Sequence, residues 1–149
     1  MGVRDELNEF LSEIFNGILK LEERSIKKNS SSLLSIQELH IIEKIGQKIQ
    51  VRMGDLAKAL ALTVGTVTVS IDRLEKKGYI ERSRIENDRR VVIIKLTQKG
   101  QAAFRLHEIF HHKMVEEIVH GLTQNEEAVL AKALANLANY FKEIEKANV

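Results

Sequence analysis

The sequence predicts a mainly α chain carrying one small β-hairpin, an α+β arrangement, and three observations predict it. Proline is absent and there are only eight glycines, so little interrupts long helices. Apolar residues recur at three-and-four spacing along most of the chain. The stretch 79–96 breaks that rule: it is rich in β-branched residues and divided by a polar, charged loop.

Each element has its own signal. Asp5 to Lys28 places apolar residues at 7, 10, 11, 14, 15, 18, 19 and 21, an amphipathic helix. Lys27 to Ser32 then reads as a basic last turn and a polar linker. Ser35-Ile36-Gln37-Glu38 has capping-box spacing for a second helix through about Gln47. Gly54 to Leu60 reads as a short helix followed by a turn. Thr63 is an N-cap for a helix from Val64 to Lys77, which Gly78 ends in a left-handed conformation. Within it Val67, Ile71 and Leu74 form one buried stripe, leaving Thr66, Val69, Ser70 and Arg73 on the opposite face. Two short helices joined this way describe a helix-turn-helix.

Tyr79–Arg84 and Val91–Leu96 read as two strands around a loop from Ile85 to Arg90, a hairpin with a basic tip. Together with the preceding helices this makes a winged helix-turn-helix. Thr97 caps a long helix from Gln98 to about Val119. Thr123-Gln124-Asn125-Glu126 starts a last one reaching Lys146, with apolar residues at 129, 130, 133, 134, 137, 138, 141 and 144. The organisation expected is an N-terminal dimerisation helix and linker (1–34), the DNA-binding lobe (35–100) and C-terminal dimerisation helices (101–149), intertwined as one domain.

Composition limits what the chain does. With 149 residues, 44% hydrophobic and 30% charged, it is one domain's worth of foldable protein. The absence of cysteine removes disulfides, thiolate nucleophiles, iron–sulfur clusters and Cys-type zinc sites. No run of about 18 apolar residues is present for a membrane span, and Arg4, Asp5 and Glu6 stand where a signal peptide needs apolar residues. A cytoplasmic protein with no membrane partner is expected. Five histidines and 21 acids allow a catalytic dyad to be drawn, but no phosphate loop, nucleophile elbow or zinc-protease motif accompanies them, so a small helical enzyme is the remote alternative. Net charge is only +2, yet residues 72–100 carry nine bases against five acids, leaving 14 bases against 16 acids elsewhere. The basic excess falls on the helix-turn-helix and the hairpin.

The run Lys76-Lys77-Gly78-Tyr79-Ile80-Glu81-Arg82, then Asp88-Arg89-Arg90, then Val92 to Leu96 with Thr97-x-x-Gly100, resembles the winged-helix core of the MarR family (multiple antibiotic resistance regulators). The flanking helices fall where that family places its dimerisation helices, so the resemblance spans essentially the whole chain. It implies a homodimeric regulator of double-stranded DNA. Thr66, Thr68, Val69, Ser70 and Arg73 would face the major groove, and Thr63 with Gly65 would lie near phosphates. Arg84, Arg89 and Arg90 would sit on the wing, with Arg89 entering a narrow minor groove and Asp88 pairing with Arg90 to brace the loop. Many members carry arginine where Val69 stands here. An A·T-rich site read through thymine methyls fits valine, or else Arg73 or Arg84 takes over the guanine contact.

Ser35 to His40, Gly65 to Thr68, and Arg105-Leu106-His107 with Phe110-His111 resemble the branch that represses fatty-acid biosynthesis genes, the FabT-type regulators. That likeness implies a long-chain acyl group on acyl carrier protein as co-repressor, with the carrier protein as a second partner. A competing reading is metal sensing. His107 and His111 are four apart on one helix, and Glu38, His40 and His112 would complete an N/O site of the kind zinc accepts, comparable to that of zinc-responsive members. A small phenolic effector is a further alternative. For Arg90 and for the histidines a purely structural role is the competing expectation.

The first helix and the last two bear more apolar surface than a small winged lobe covers, which predicts a two-fold dimer through Leu7, Phe10, Ile14, Leu137, Phe141 and Ile144. Its recognition helices would lie roughly 34 Å apart, matching a pseudo-palindromic operator.

Overall fold

The computed structural model describes residues 2–29 and 34–147, with their side chains except those of 26–29. The elements are α1 (Val3–Glu9), a π-helical segment (Phe10–Ile14), α2 (Phe15–Asn29), α3 (Ile36–Gly46), β1 (Gln50–Arg52), α4 (Met53–Ala59), α5 (Val64–Lys76), β2 (Ile80–Ile85), β3 (Asp88–Leu96), α6 (Gln98–Val119) and α7 (Gln124–Ala147). The first amphipathic stretch is therefore helical as expected, with one widened turn. Ser30 to Ser32 of the expected linker lie outside the described residues. The chain divides into two units between Phe110 and His111.

Caps set most boundaries of the first unit. Ser35 and Glu38 form the expected reciprocal box: Glu38 N–H donates to Ser35 Oγ at 3.1 Å, and Ser35 N–H to Glu38 Oε2 at 2.9 Å. Thr63 Oγ1 accepts from Thr66 N–H at 3.2 Å, opening α5. Gly78, at φ +81°, turns the chain out of α5, a conformation costly for any residue with a Cβ. The core beneath these caps is aliphatic, with Ile41, Ile42 and Ile45 of α3 packed with Leu56, Ile71 and Ile94, all essentially inaccessible.

The hairpin is longer than the sequence indicated. Its strands extend through Ile85 and from Asp88, so the connecting turn is Glu86-Asn87 rather than residues 85–90. Charged residues hid this, because an exposed ribbon tip needs no apolar side chains to pair its backbone. A third strand also went unforeseen: β1 is three residues long and pairs with β3, Val51 opposite Ile94, giving an antiparallel sheet in the order β1-β3-β2. Three residues with one buried position are too few to show an alternation.

Thr97 locks the wing to α6. Its hydroxyl donates to Gly78 O at 2.6 Å and accepts from Gly100 N–H at 3.1 Å, while Thr97 N–H donates to Tyr79 O at 3.0 Å. Gly100 is buried here, and a Cβ on it would overlap the Tyr79 carbonyl oxygen.

The second unit comprises the end of α6 and α7. Thr123 and Glu126 cap α7 as expected, with Thr123 N–H donating to Glu126 Oε2 at 2.7 Å. None of α7's described residues is buried, and Leu134, Tyr140 and Phe141 are more than half exposed. Among the described residues, no single helix is long and apolar enough to cross a membrane.

Candidate nucleic-acid interface

α5 presents a sharply divided surface. Val67, Ser70, Ile71 and Leu74 are buried at i, i+3, i+4 and i+7, while Gly65, Thr66, Val69 and Arg73 are exposed. Ser70, expected on the outward face, is 7% exposed and belongs to the inner stripe. It sits three residues from Val67 and beside Ile71, and a short side chain on that shoulder tolerates burial. The outward set is therefore Thr66, Val69 and Arg73, with Thr68 half-buried at its edge. Val69 is 51% exposed, a branched apolar side chain held out to solvent with no packing duty in the lobe. Thr68 Oγ1 donates back to Val64 O at 2.7 Å, and Thr63 Oγ1 lies 2.8 Å from Thr66 Oγ1, so both hydroxyls are partly committed to the helix itself.

On the wing, Arg84, Arg89 and Arg90 are all exposed. Arg84 and Arg89 line one hollow with Ile85 and Glu86. Asp88 braces the loop differently from the expected side-chain pair. Its carboxylate accepts from the backbone N–H of Arg90 at 3.0 Å, and among the described residues no ion pair joins the two side chains. Arg90 is among the residues that line a cleft with Thr68 of α5.

Not every base is available to a ligand. Arg82 Nη2 donates to Asp72 Oδ1 at 2.6 Å and its Nε to Glu75 Oε2 at 2.9 Å. Glu75, and after it Asp72, hold the Arg82 pKa above its ordinary value against the opposing effect of burial. Lys99 Nζ donates to Lys77 O at 2.8 Å and lies 4.4 Å from the centroid of the Tyr79 ring. Such bases position the lobe; the charge left for an outside anion includes Arg73 on the outer face of α5 and Arg84, Arg89 and Arg90 along the wing.

His40 and His107 fall elsewhere in the first unit. His107 is 4% exposed, with Nε2 3.3 Å from Glu22 Oε1 and 3.5 Å from Glu43 Oε2, and Glu22 is itself only 3% exposed. His40 Nε2 is 3.9 Å from the same Glu22 oxygen. Glu38 does not join them. Both its oxygens receive Lys77 Nζ at 2.8 Å, and Oε2 also accepts Ser35 N–H, so its place among the candidate metal ligands is corrected: Glu22 and Glu43 are the carboxylates facing His107. His111 follows one turn along α6, and His112 is exposed near Glu116. Glu22 and Glu43 were missed because an acid at a helical position reads as a solvated side chain.

The MarR family model matches residues 34–92, which hold the helix-turn-helix and most of the wing. HTH-type transcriptional regulator BilQ of Clostridium symbiosum is 31% identical over 105 residues, 70% of this chain and 72% of that one. FabT of Streptococcus pneumoniae, solved in complex with DNA, is 43% identical and superposes with a TM-score of 0.88 over 95% of this chain and 99% of that one.

The chain belongs to the MarR family.

It is a MarR-type transcriptional regulator with a DNA-binding winged helix. At the level of fold alone it is also similar to ZitR of Lactococcus lactis, a zinc-responsive member, with 24% identity and a TM-score of 0.67 over 94% of this chain and 99% of that one. In this winged helix α5 is the second helix of the helix-turn-helix and the β2–β3 hairpin is the wing.

Proposed function

We propose that this MarR regulator is a homodimeric, sequence-specific repressor of fatty-acid biosynthesis genes, with a long-chain acyl group on acyl carrier protein as co-repressor. The observation that carries the reading is the likeness to FabT in complex with DNA, which extends over nearly all of both chains. Thr66, Val69 and Arg73 then read base edges, the exposed valine favouring thymine methyls, while Arg84, Arg89 and Arg90 approach the backbone and minor groove. Dimerisation follows from solvation. Leu7, Ile14, Phe141 and Ile144 lie exposed, Phe10 and Leu137 are half-buried, and α7 buries no described residue. At about 25 cal/mol per Å² of apolar surface, leaving two amphipathic helices wet is unfavourable enough to drive self-association. An acyl co-repressor shifts the DNA-competent population only by its preference for that state.

The test is fluorescence anisotropy on a labelled, A·T-rich pseudo-palindromic duplex at fixed salt, with and without long-chain acyl-carrier protein. Tighter binding with the acylated carrier, absent with the unacylated one, is the expected result. Equal affinity in all arms would remove the acyl carrier as effector.

A second reading, zinc sensing, is favoured by one observation, the cluster of Glu22, His107, His40 and Glu43. Neutral imidazoles with carboxylates form an N/O set that suits zinc. Competition with a chromophoric chelator tests it. Zinc uptake by the wild type and its loss in His107→Ala would support the sensor, whereas equal weak uptake by both would remove His107 as a zinc ligand.

A further inference from the structure

A recognition helix in the major groove and a wing in the adjacent minor groove must straddle one sugar–phosphate strand, because that strand is what separates the two grooves. Whatever lies between α5 and the wing is therefore the surface the strand crosses. In this structure it is a cleft of about 510 Å³, whose lining includes Thr68 of α5, Arg82 of β2, Arg90 and Val91 of β3, and Arg52 at the end of β1.

We propose that this cleft is a phosphate seat for duplex DNA and that Arg52 is its principal donor, a contact outside both the recognition face and the wing tip. The inference rests on the DNA-binding reading of the lobe and adds a site to it.

Charge and donor availability single out Arg52. Arg82 is bound to Asp72 and Glu75, whose two negative charges more than offset its own. The Thr68 hydroxyl spends its proton on Val64 O. Asp55, also in the lining, offsets one positive charge. Arg52 and Arg90 remain, and among the described residues neither has an ion-pair partner. A guanidinium is a suitable donor, since its fork of N–H groups matches two phosphate oxygens.

The fold fixes where Arg52 points. β1 alternates exposed, buried, exposed, so burial of Val51 against the core sends Arg52 outward. Arg52 pairs with Ile93 of β3, three residues along the strand from Arg90. The short strand that sequence periodicity could not detect thus ends at the cleft, with the exposed Arg52 in its lining. A free phosphate ion has the same chemistry as a backbone phosphate, so the experiment must separate them.

Binding of the pseudo-palindromic duplex and of a scrambled duplex is measured for wild type, Arg52→Ala and Arg52→Lys as salt is varied. The arms are repeated at constant ionic strength with inorganic phosphate. Arg52 is exposed, so both variants should melt with the wild type. Arg52→Ala is expected to weaken both duplexes by the same factor and to flatten the plot of log K against log salt by about 0.9 per half-site, while Arg52→Lys keeps most of the slope. An unchanged slope in Arg52→Ala overturns the seat, and so does a loss confined to one duplex, which would make Arg52 a base reader. Unchanged DNA binding together with phosphate binding that Arg52→Ala removes would assign the cleft to free phosphate instead. Absence of wild-type binding even at low salt would defeat the DNA reading itself, an outcome visible before any variant is compared.

Discussion

Lys77 holds both carboxylate oxygens of Glu38, each at 2.8 Å, across 39 positions of sequence. The pair ties the residue that caps α5 to the first turn of α3, and Glu38 also completes the Ser35 box. Because Glu38 is buried and Lys77 about one-third exposed, removing the lysine strands a desolvated carboxylate. Lys77→Met is expected to destabilise the lobe by about 2–3 kcal/mol, below the range for a fully buried pair because water still reaches the lysine. In a double-mutant cycle with Glu38→Gln, measured by urea unfolding, the second change should cost much less once the first is made. Additive losses would show that the pair has no coupling.

Arg89 stands just past the two-residue wing turn, exposed beside Arg84. Arg89→Ala is expected to weaken operator binding strongly and to lower the salt slope by about one unit for one lost phosphate contact. A loss of preference for A·T-rich flanks, beyond the loss of affinity, is expected if the guanidinium enters a narrow minor groove. Anisotropy on duplexes differing only in those flanks separates the two, and unchanged affinity would take Arg89 out of the interface.

How legible the lobe was in the sequence depended on whether a residue's environment is local. The caps at Ser35, Thr63 and Thr123 were readable because partner and helix lie within four residues. The stripe Val67, Ile71, Leu74 was readable for the same reason, but Ser70 on its shoulder was not, since its chemistry says surface and only packing decides. The partners of the buried charges were illegible: Glu38 looked as available to a histidine as to a lysine, and Glu22 gave no sign of facing His107. Arg52 was invisible because strand β1 exists only through its pairing with β3.

Gly100 illustrates a residue whose space matters more than its helix propensity. It lies in the first turn of α6 against the Tyr79 carbonyl, where alanine would gain about 1 kcal/mol of propensity but place its Cβ inside the contact distance of a backbone oxygen. Backbone must move, which disturbs the Thr97 bonds to Gly78 and Tyr79. Gly100→Ala is therefore expected to cost about 3 kcal/mol, the overpacking loss outweighing the propensity gain, and to loosen the wing. Amide exchange of the β2–β3 ladder checks it: protection equal to wild type would mean that the helix start yields without disturbing the hairpin.

In the second unit, the pH dependence of the α7 cap has a definite sign. The backbone N–H of Thr123, and then its hydroxyl, hold the Glu126 carboxyl below its ordinary value. In the unfolded chain that carboxyl takes up its proton first as pH falls. The cap therefore contributes its full stabilisation above the unfolded glutamate pKa and loses it as pH drops through the lower, folded one. Glu126→Gln keeps an acceptor for the box and removes the titration, so α7 should stay helical at neutral pH and lose this acid-side dependence. Carboxyl resonances followed by NMR across acid pH are expected to show Glu126 titrating below the ordinary glutamate value. A midpoint at that ordinary value would mean that the Thr123 bonds do not persist in solution.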